Sequence, residues 1–389
     1  MTFDVSVAPT INDKYSFLAS WYEAESAMLR KFYLFYYATD NTISLFDIGK
    51  NRVFLKRTRV ENLEKRDIFV GNIVKIFSRH IKITGYANEF TERIMGHSMQ
   101  STIVIIKPDG RSKMGSILKM IINEGFRISD LRMLTLPAAV VEQFYQKKKD
   151  SLGFSALVTY MSSSPVITLE LINNEGIDRM KKLCGPTDPD QARREAPASI
   201  RACFGTDEAH NAIHSSSSVE ESRLERQLLF GRFAPASNSS TDTAVLKHST
   251  CCVIKPHAVR DGKLGEIIEM IEGEGYTITA MRMFRLDNIN AEEFLEIYRG
   301  VLPEYTDMVS EFVNGGCVAL EVVGPTKEDT PQDFRNFVGP MDPDMARQLR
   351  PNTLRARFGK NKVQNAVHVT DLPEDAPLEV EYFFKILAA

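Results

Sequence analysis

The chain has 389 residues, 43% of them apolar and 25% charged, which excludes global disorder and suggests about three globular domains. The net charge of −3 hides an asymmetry: residues 1–100 hold 14 Lys+Arg against 11 Asp+Glu, so the rest is acidic and, without a nucleic-acid motif, argues against a nucleic-acid partner. Five cysteines without C-x-x-C spacing indicate neither a disulfide framework nor a zinc ribbon and fit a reducing interior, and no apolar run is long enough to cross a bilayer.

The N-terminal "MTFDVSVAPTINDKYS" lacks the charged and apolar regions of a secretory leader, so an intracellular, soluble protein is expected. From there to about residue 99 the texture is that of a β-meander: "KFYLFYYATDNTISLFDIGKNRVFLKRT" alternates aromatic and polar residues, with turn signals at Asp40-Asn41 and Gly49-Lys50-Asn51. Alternation over "KNRVFLKRTR" puts Val53 and Leu55 on one face and Arg52, Phe54 and Lys56 on the other. Between Lys50 and Lys82 there are ten Lys+Arg against three Asp+Glu, a balance that suits an acidic partner, although such runs are commonly plain solvated surface.

At Ser101 a repeat begins. "STIVIIKPDGRSKMGSILKMIINEGF" matches "STCCVIKPHAVRDGKLGEIIEMIEGEGY" from Ser249, "LCGPTDPDQAR" matches "FVGPMDPDMAR", and "SIRACFGTDEAHNAIH" matches "TLRARFGKNKVQNAVH". Within the first copy "TIVIIK" reads as a buried strand, "SILKMIINEG" as a helix closed by Gly125, and "RISDLRMLTL" as a second strand. The helical stretches "AAVVEQFYQKKK" and "FSALVTYM" follow, then the strand "PVITLEL", the helix "GIDRMKKLC", a long loop, a short strand into His214 and the closing helix "SVEESRLERQLLF". That order is the split βαβ, ferredoxin-like α/β sandwich. "GRFAPASNSSTDTAVLKHS" between the copies has the composition of a linker. The expected chain is thus multidomain α+β: a β-rich domain over 1–99, an α/β domain over 100–230, a linker over 231–248 and a second α/β domain over 249–389.

A lone histidine beside a strand is more often structural than catalytic. His214 has company that changes this: Lys107, Arg201 and Asn211 recur in the other copy as Lys255, Arg355 and Asn365, and Glu225 follows His214 by eleven positions as Glu379 follows His368. Arg offers a donor fork to phosphate oxygens, Lys a point charge, Asn and Thr187 polar contacts, and a carboxylate fixes an imidazole tautomer. The set reads as phosphoryl transfer through a phosphohistidine. No Walker loop or dinucleotide fingerprint is present, so side chains must make the phosphate site.

With "IKPDG", "GPTDP" and "NAIHSS" at these places in the first copy and the second copy matching it, the chain resembles the nucleoside diphosphate kinases over both repeats. The resemblance implies a ping-pong exchange: a nucleoside triphosphate phosphorylates the histidine, and a different diphosphate removes the phosphoryl group. Magnesium would arrive bound to the nucleotide phosphates, with no metal ligand from the protein. The same resemblance puts Lys107 and Asn211 on the ribose, Tyr145, Thr187 and Arg201 on the phosphates, His214 as nucleophile, and Ser216 and Glu225 beside it. The second phosphate arginine falls on Lys181, and the base-stacking phenylalanine falls on Gly153, leaving Phe154 next to it. In the second copy Lys255, Arg335, Arg355, Asn365, His368, Thr370 and Glu379 are in register, Met341 replaces the phosphate threonine, and Tyr298 aligns only across a gap, so this copy is expected to be weak or inactive.

The front segments "SFLASWYEAESAMLRKFYLFYY" and "DIFVGNIVKIFSRHIKITGYANEFT" resemble a DM10 domain, which implies a PH-like β-sandwich. DM10 followed by two such kinase-like domains is similar to an axonemal, microtubule-associated family of nucleoside diphosphate kinase homologues. That implies a place in cytoplasm, cytoskeleton and the axoneme of cilia or flagella, inside doublet microtubules, with tubulin and other axonemal proteins as partners and no membrane. A structural scaffold whose kinase folds do little catalysis is the alternative.

Overall fold

The computed structural model describes residues 14–23, 28–60, 63, 65–77, 79–96, 99–231, 243–326 and 329–388. The N-terminal stretch read for a secretory leader and most of the expected linker lie outside the described residues. Two compact units are present, Met1–Gln100 and Ser101–Ala389.

The first unit is one antiparallel sheet. β1 (Lys14–Glu23), β2 (Met28–Tyr37), β3 (Thr42–Asp47) and β4 (Arg52–Arg59) run as consecutive hairpins, and β5 (Ile73–Ile76) and β6 (Arg79–Tyr86) form another that joins back onto β1. The strand order is β4-β3-β2-β1-β6-β5. Strand alternation places Phe17, Ala19, Phe32, Leu34, Ile43, Leu45, Ile81 and Ile83 on the inner face, where they are fully buried. The turn residues Asn41 (φ 54°) and Asn51 (φ 46°) sit in the left-handed region that asparagine tolerates, as the hairpin signals required.

The expected faces of β4 are corrected by the structure. Register shifts between Ile43 and Phe46 displace its alternation against β3. Val53 is 57% exposed, whereas the Phe54 ring packs 5.1 Å from Phe32 and 6.4 Å from Trp21 on the inner face.

In the second unit both repeats contribute to one eight-stranded sheet, in the order β10-β7-β9-β8-β12-β13-β11-β14. The first repeat supplies β7 (Met99–Ile106), β8 (Arg127–Leu134), β9 (Val166–Asn174) and β10 (Ile213–Ser215). The second supplies β11 (Ser249–Ile254), β12 (Thr277–Phe284), β13 (Cys317–Val323) and β14 (Val367–Val369). The repeats join where β8 meets β12, with Arg132 opposite Arg282. Pairing of the two edge strands satisfies main-chain groups that each repeat alone would leave open.

The second contact is between the helices Met114–Asn123 and Leu264–Gly273. An added Cβ at Gly115 would lie 2.3 Å from Glu269 N, and one at Gly265 would lie 2.4 Å from Lys119 N. Only glycine permits this approach of two backbones. Their apolar faces close one core: Ile117, Leu118 and Ile121 pack in the same cluster as Ile267, Ile268 and Ile271.

The stretch read as a long loop contains two short helices, Pro189–Glu195 and Ile200–Phe204, capped by Asp188 and Ser199 side chains. Their shortness hid the 3.6-residue period.

Candidate active site

β10 carries His214 along the edge of β7, and the helix Val219–Phe230 returns over it so that Glu225 meets the imidazole. Glu225 Oε1 lies 2.8 Å from His214 Nε2, and its other oxygen accepts the Ser216 hydroxyl at 2.5 Å. Ser216 is fully buried and also caps the edge of β7, its Oγ accepting from Ile103 N at 3.0 Å. With Nε2 given to a carboxylate, the proton sits there and Nδ1 keeps its lone pair. Phe144 and Tyr145 meet the imidazole edge to face at centroid distances of 4.9 and 5.5 Å, fixing its plane.

The chain reaches His214 through a strained turn. Ala212 has φ 65°, an unfavourable conformation for a residue with a Cβ. Asp109 holds it: Oδ2 accepts Ala212 N at 2.9 Å, while Oδ1 accepts the Tyr160 hydroxyl. Ala212 O in turn accepts Lys107 N at 2.9 Å. These contacts explain "KPDG" in the first copy, where a Cβ on Gly110 would come within 2.7 Å of Ala212 O.

The Lys107 ammonium donates to Asn211 Oδ1 at 2.7 Å and Ala209 O at 2.9 Å, and Asn211 Nδ2 donates to Thr187 O at 2.9 Å. Burial pushes the Lys107 ammonium down to about 8, with Asp109 offsetting part of the cost. Arg201 donates to Gly185 O at 2.7 Å and Ile213 O at 3.2 Å, while its buried Nε has no partner among the described residues. The Tyr145 hydroxyl is likewise buried without a partner, and burial raises its pKa. Buried donors without acceptors are costly unless a ligand supplies the acceptor.

Lys107, Asn211 and Thr187 are thus linked by hydrogen bonds, as are His214, Glu225 and Ser216, with Tyr145 against the imidazole and Arg201 on the carbonyl of Ile213 next to His214. Two other residues are not. Lys181 lies on the helix Gly176–Cys184 with Nζ 3.9 Å from Asp178, its side chain 47% exposed. Phe154 opens the helix Phe154–Ser162 and packs, half-buried, against the core around Ile103 and Val141.

The second repeat rebuilds the histidine and alters its surroundings. His368 Nε2 lies 3.0 Å from Glu379 Oε2, which also accepts the Thr370 hydroxyl at 2.9 Å, and Phe294 takes the place of Phe144 at 4.8 Å. Tyr298 reaches His368 at 6.4 Å from one helical turn further along, which accounts for the gap in alignment. Its hydroxyl donates to Asp371, and Arg335 donates to Asp371 O at 2.8 Å and pairs with its carboxylate at 3.1 Å. Arg355 spends all three nitrogens on the carbonyls of Gly339 and Val367, and burial pushes it down to about 10.

Lys255 donates to Val363 O at 2.8 Å, leaving the buried Asn365 Oδ1 without a partner among the described residues. Burial, with Arg355 nearby, pushes Lys255 down to about 7, so near neutral pH it is only half charged. Asn365 Nδ2 donates to Met341 O at 3.0 Å, and the Met341 side chain packs on the apolar core. His257 replaces Asp109: its Nε2 accepts Ala366 N at 3.2 Å and its Nδ1 meets Glu311 at 2.8 Å. The sequence pattern missed Asp371, Glu311 and Phe144, and the change from "KPDG" to "KPHA" was the available signal for the His257 rearrangement.

Among the described residues there is no group of three His, Cys, Asp or Glu able to hold a metal, and no helix is long and apolar enough to cross a membrane. Magnesium carried by nucleotide phosphates needs no such group.

Comparison with known proteins agrees with the repeat. The family model described as nucleoside diphosphate kinase matches residues 100–234 and again 248–387. Nucleoside diphosphate kinase homolog 7 of Rattus norvegicus is 44% identical over 381 residues, covering 97% of this chain and 94% of the relative. The nucleoside diphosphate kinase of Aquifex aeolicus is 40% identical over 135 residues, 34% of this chain and 95% of its own length. A solved structure of the Aquifex aeolicus nucleoside diphosphate kinase covers 34% of this chain and 96% of that one at 39% identity, with a TM-score of 0.34.

Proposed function

The chain belongs to the nucleoside diphosphate kinase family, and from that premise we propose that it moves the terminal phosphoryl group of a nucleoside triphosphate to a nucleoside diphosphate through His214. The observation that carries this reading is the His214 Nε2 to Glu225 contact at 2.8 Å, which leaves Nδ1 as the attacking atom. In the first half-reaction the Nδ1 lone pair bonds to the γ-phosphorus, the bond from phosphorus to the β,γ-bridging oxygen breaks, and that oxygen leaves with the diphosphate. Glu225 stabilises the positive charge that grows on the ring. An acceptor diphosphate oxygen then attacks the phosphohistidine and restores the imidazole.

Arg201 Nε and the Tyr145 hydroxyl are the donors left for phosphate oxygens, with Thr187 beside Asn211 and magnesium entering as part of the substrate. Ser216 and Glu225 position the ring. The second site is proposed to be weak or inactive, since Arg335 and Tyr298 are both engaged by Asp371 and Met341 offers no donor. Acid-labile labelling of the purified chain with γ-phosphate-labelled ATP tests this: His214→Ala abolishes most label and exchange, His368→Ala little. Equal losses overturn the ranking.

A second reading concerns place. The strand positions facing away from the core of the first unit include exposed Leu18, Tyr22, Leu29, Tyr33 and Val53 beside Lys31. This surface supports docking of the front unit, read as a DM10 domain of PH-like kind, on tubulin in the axoneme of cilia or flagella, with other axonemal proteins around it. Catalysis and scaffolding are compatible, because the fold alone does not fix the role. Co-sedimentation with microtubules tests it.

A further inference from the structure

Three consecutive lysines, Lys147, Lys148 and Lys149, follow Tyr145 in the first repeat, on and just after the short turn Gln146–Lys148. The corresponding turn of the second repeat, Glu296–Tyr298, has no lysine. Long exposed side chains are ordinarily solvated surface, but here the turn meets the helix that follows the catalytic strand.

Lys147 Nζ lies 3.0 Å from Glu221 Oε1. Glu221 Oε2 accepts Ser217 N at 2.7 Å and also the Ser217 hydroxyl, three residues beyond His214. Although partial burial opposes it, these donors hold the Glu221 carboxyl down to about 2, so the tie is ionised across the neutral range. The turn lies beside His214 through the adjoining Tyr145 ring, with Lys147 facing the Glu221 carboxylate.

Lys148 is differently placed. Its Nζ stands 5.8 Å from the centroid of the Tyr145 ring, the same ring that meets His214 edge to face at 5.5 Å. It is close enough to the ribose-side lysine that its charge lowers the proton affinity of Lys107, after the larger effects of burial and of Arg201. Lys107 and Arg201 already donate to internal acceptors at the floor of the site. Phosphate oxygens at the mouth need a cation that can reach and release them, and a lysine on a flexible stem with three donors suits this. Lys181, where the resemblance put the second phosphate cation, instead has its half-exposed ammonium 3.9 Å from Asp178, one turn earlier on a helix whose other face is buried.

We propose that Lys148, rather than Lys181, is the second phosphate-binding cation of the His214 site, closing on the terminal phosphates of a nucleoside di- or triphosphate. The inference rests on the reading of His214 as phosphoryl acceptor. It deepens that reading by naming the residue that compensates for the lost arginine fork.

Steady-state exchange by the full chain tests it, with Lys148→Ala, Lys148→Arg, Lys181→Ala and Lys149→Ala assayed beside wild type. Loss of one charge-assisted contact should raise KM for the diphosphate roughly tenfold in Lys148→Ala, with kcat little changed. Lys148→Arg should restore most of the affinity, Lys181→Ala should have the smaller effect, and Lys149→Ala, which alters net charge equally, should match wild type. A wild-type KM in Lys148→Ala, or a larger effect from Lys181→Ala, overturns the assignment while leaving His214 in place. Absence of exchange and phosphohistidine in wild type would instead bring down both readings.

Discussion

His214 and Glu225 stand on different elements, a three-residue strand and the helix that follows it, yet their side chains meet at 2.8 Å. Glu225 is 5% exposed, so its carboxylate works in a medium where an ion–dipole contact is strong. Glu225→Gln keeps the shape but removes the charge that favours a positive ring. The barrier should rise by roughly 1–3 kcal/mol, slowing exchange about fivefold to 150-fold. Rapid-quench measurement of phosphohistidine formation checks it, and an unchanged rate would show that Glu225 only packs.

The glycine contact between the repeats yields a stability prediction. Gly115→Ala puts a methyl into the main chain of Glu269, and Gly265→Ala does the same at Lys119. Each should destabilise the second unit by about 1–3 kcal/mol, as overpacking of a closed core does. Because both changes press on one helix pair, the double variant should cost less than the sum of the singles. Chemical denaturation followed by circular dichroism reads all three, and wild-type midpoints would mean the helices separate freely.

How much of this was legible beforehand depended on range. The eleven-residue step from His214 to Glu225 was readable because it recurs at His368 and Glu379, and each repeat's strands and longer helices followed from local periodicity. The pairing of Arg132 with Arg282 in one shared sheet was not, because edge pairing between repeats leaves no local pattern. The faces of β4 were misread because register shifts are invisible to strict alternation. His257 shows the reverse case, part of a two-letter change in a repeated motif, and it brought a new partner, Glu311, from 54 residues away.

The basic strand of the front unit predicts salt-sensitive association. Arg57 is paired with Asp40, but Lys56 and Arg59 are exposed. If the unit docks on tubulin, Lys56→Glu with Arg59→Glu should weaken co-sedimentation of the full chain with microtubules, and added salt should weaken wild type as the screening length falls below roughly 8 Å. Nucleotide exchange at His214 should be unaffected. Binding indifferent to both salt and charge reversal would exclude a charge-led contact.

Lys255 predicts a pH dependence whose sign can be worked out. Burial depresses its ammonium from the usual 10.5 to about 7 in the folded chain. Between about pH 7 and 10.5 the unfolded chain therefore holds more of this proton than the folded one, so stability from this group rises with pH across that window. Below about pH 7 the lysine is protonated in both states and the cost of burying its charge is fully present. Above 10.5 it is neutral in both, and the cost is gone. Lys255→Met keeps the apolar stem, loses the contact to Val363 O and removes the charge. The melting temperature of the variant relative to wild type should thus be highest near pH 6 and decline steadily toward pH 10. Lys107 is depressed in the same direction to about 8, but it is common to both proteins and cancels in the difference. Paired thermal melts over that range decide the matter, and a difference that does not change with pH would mean Lys255 titrates as a solvent-exposed lysine does.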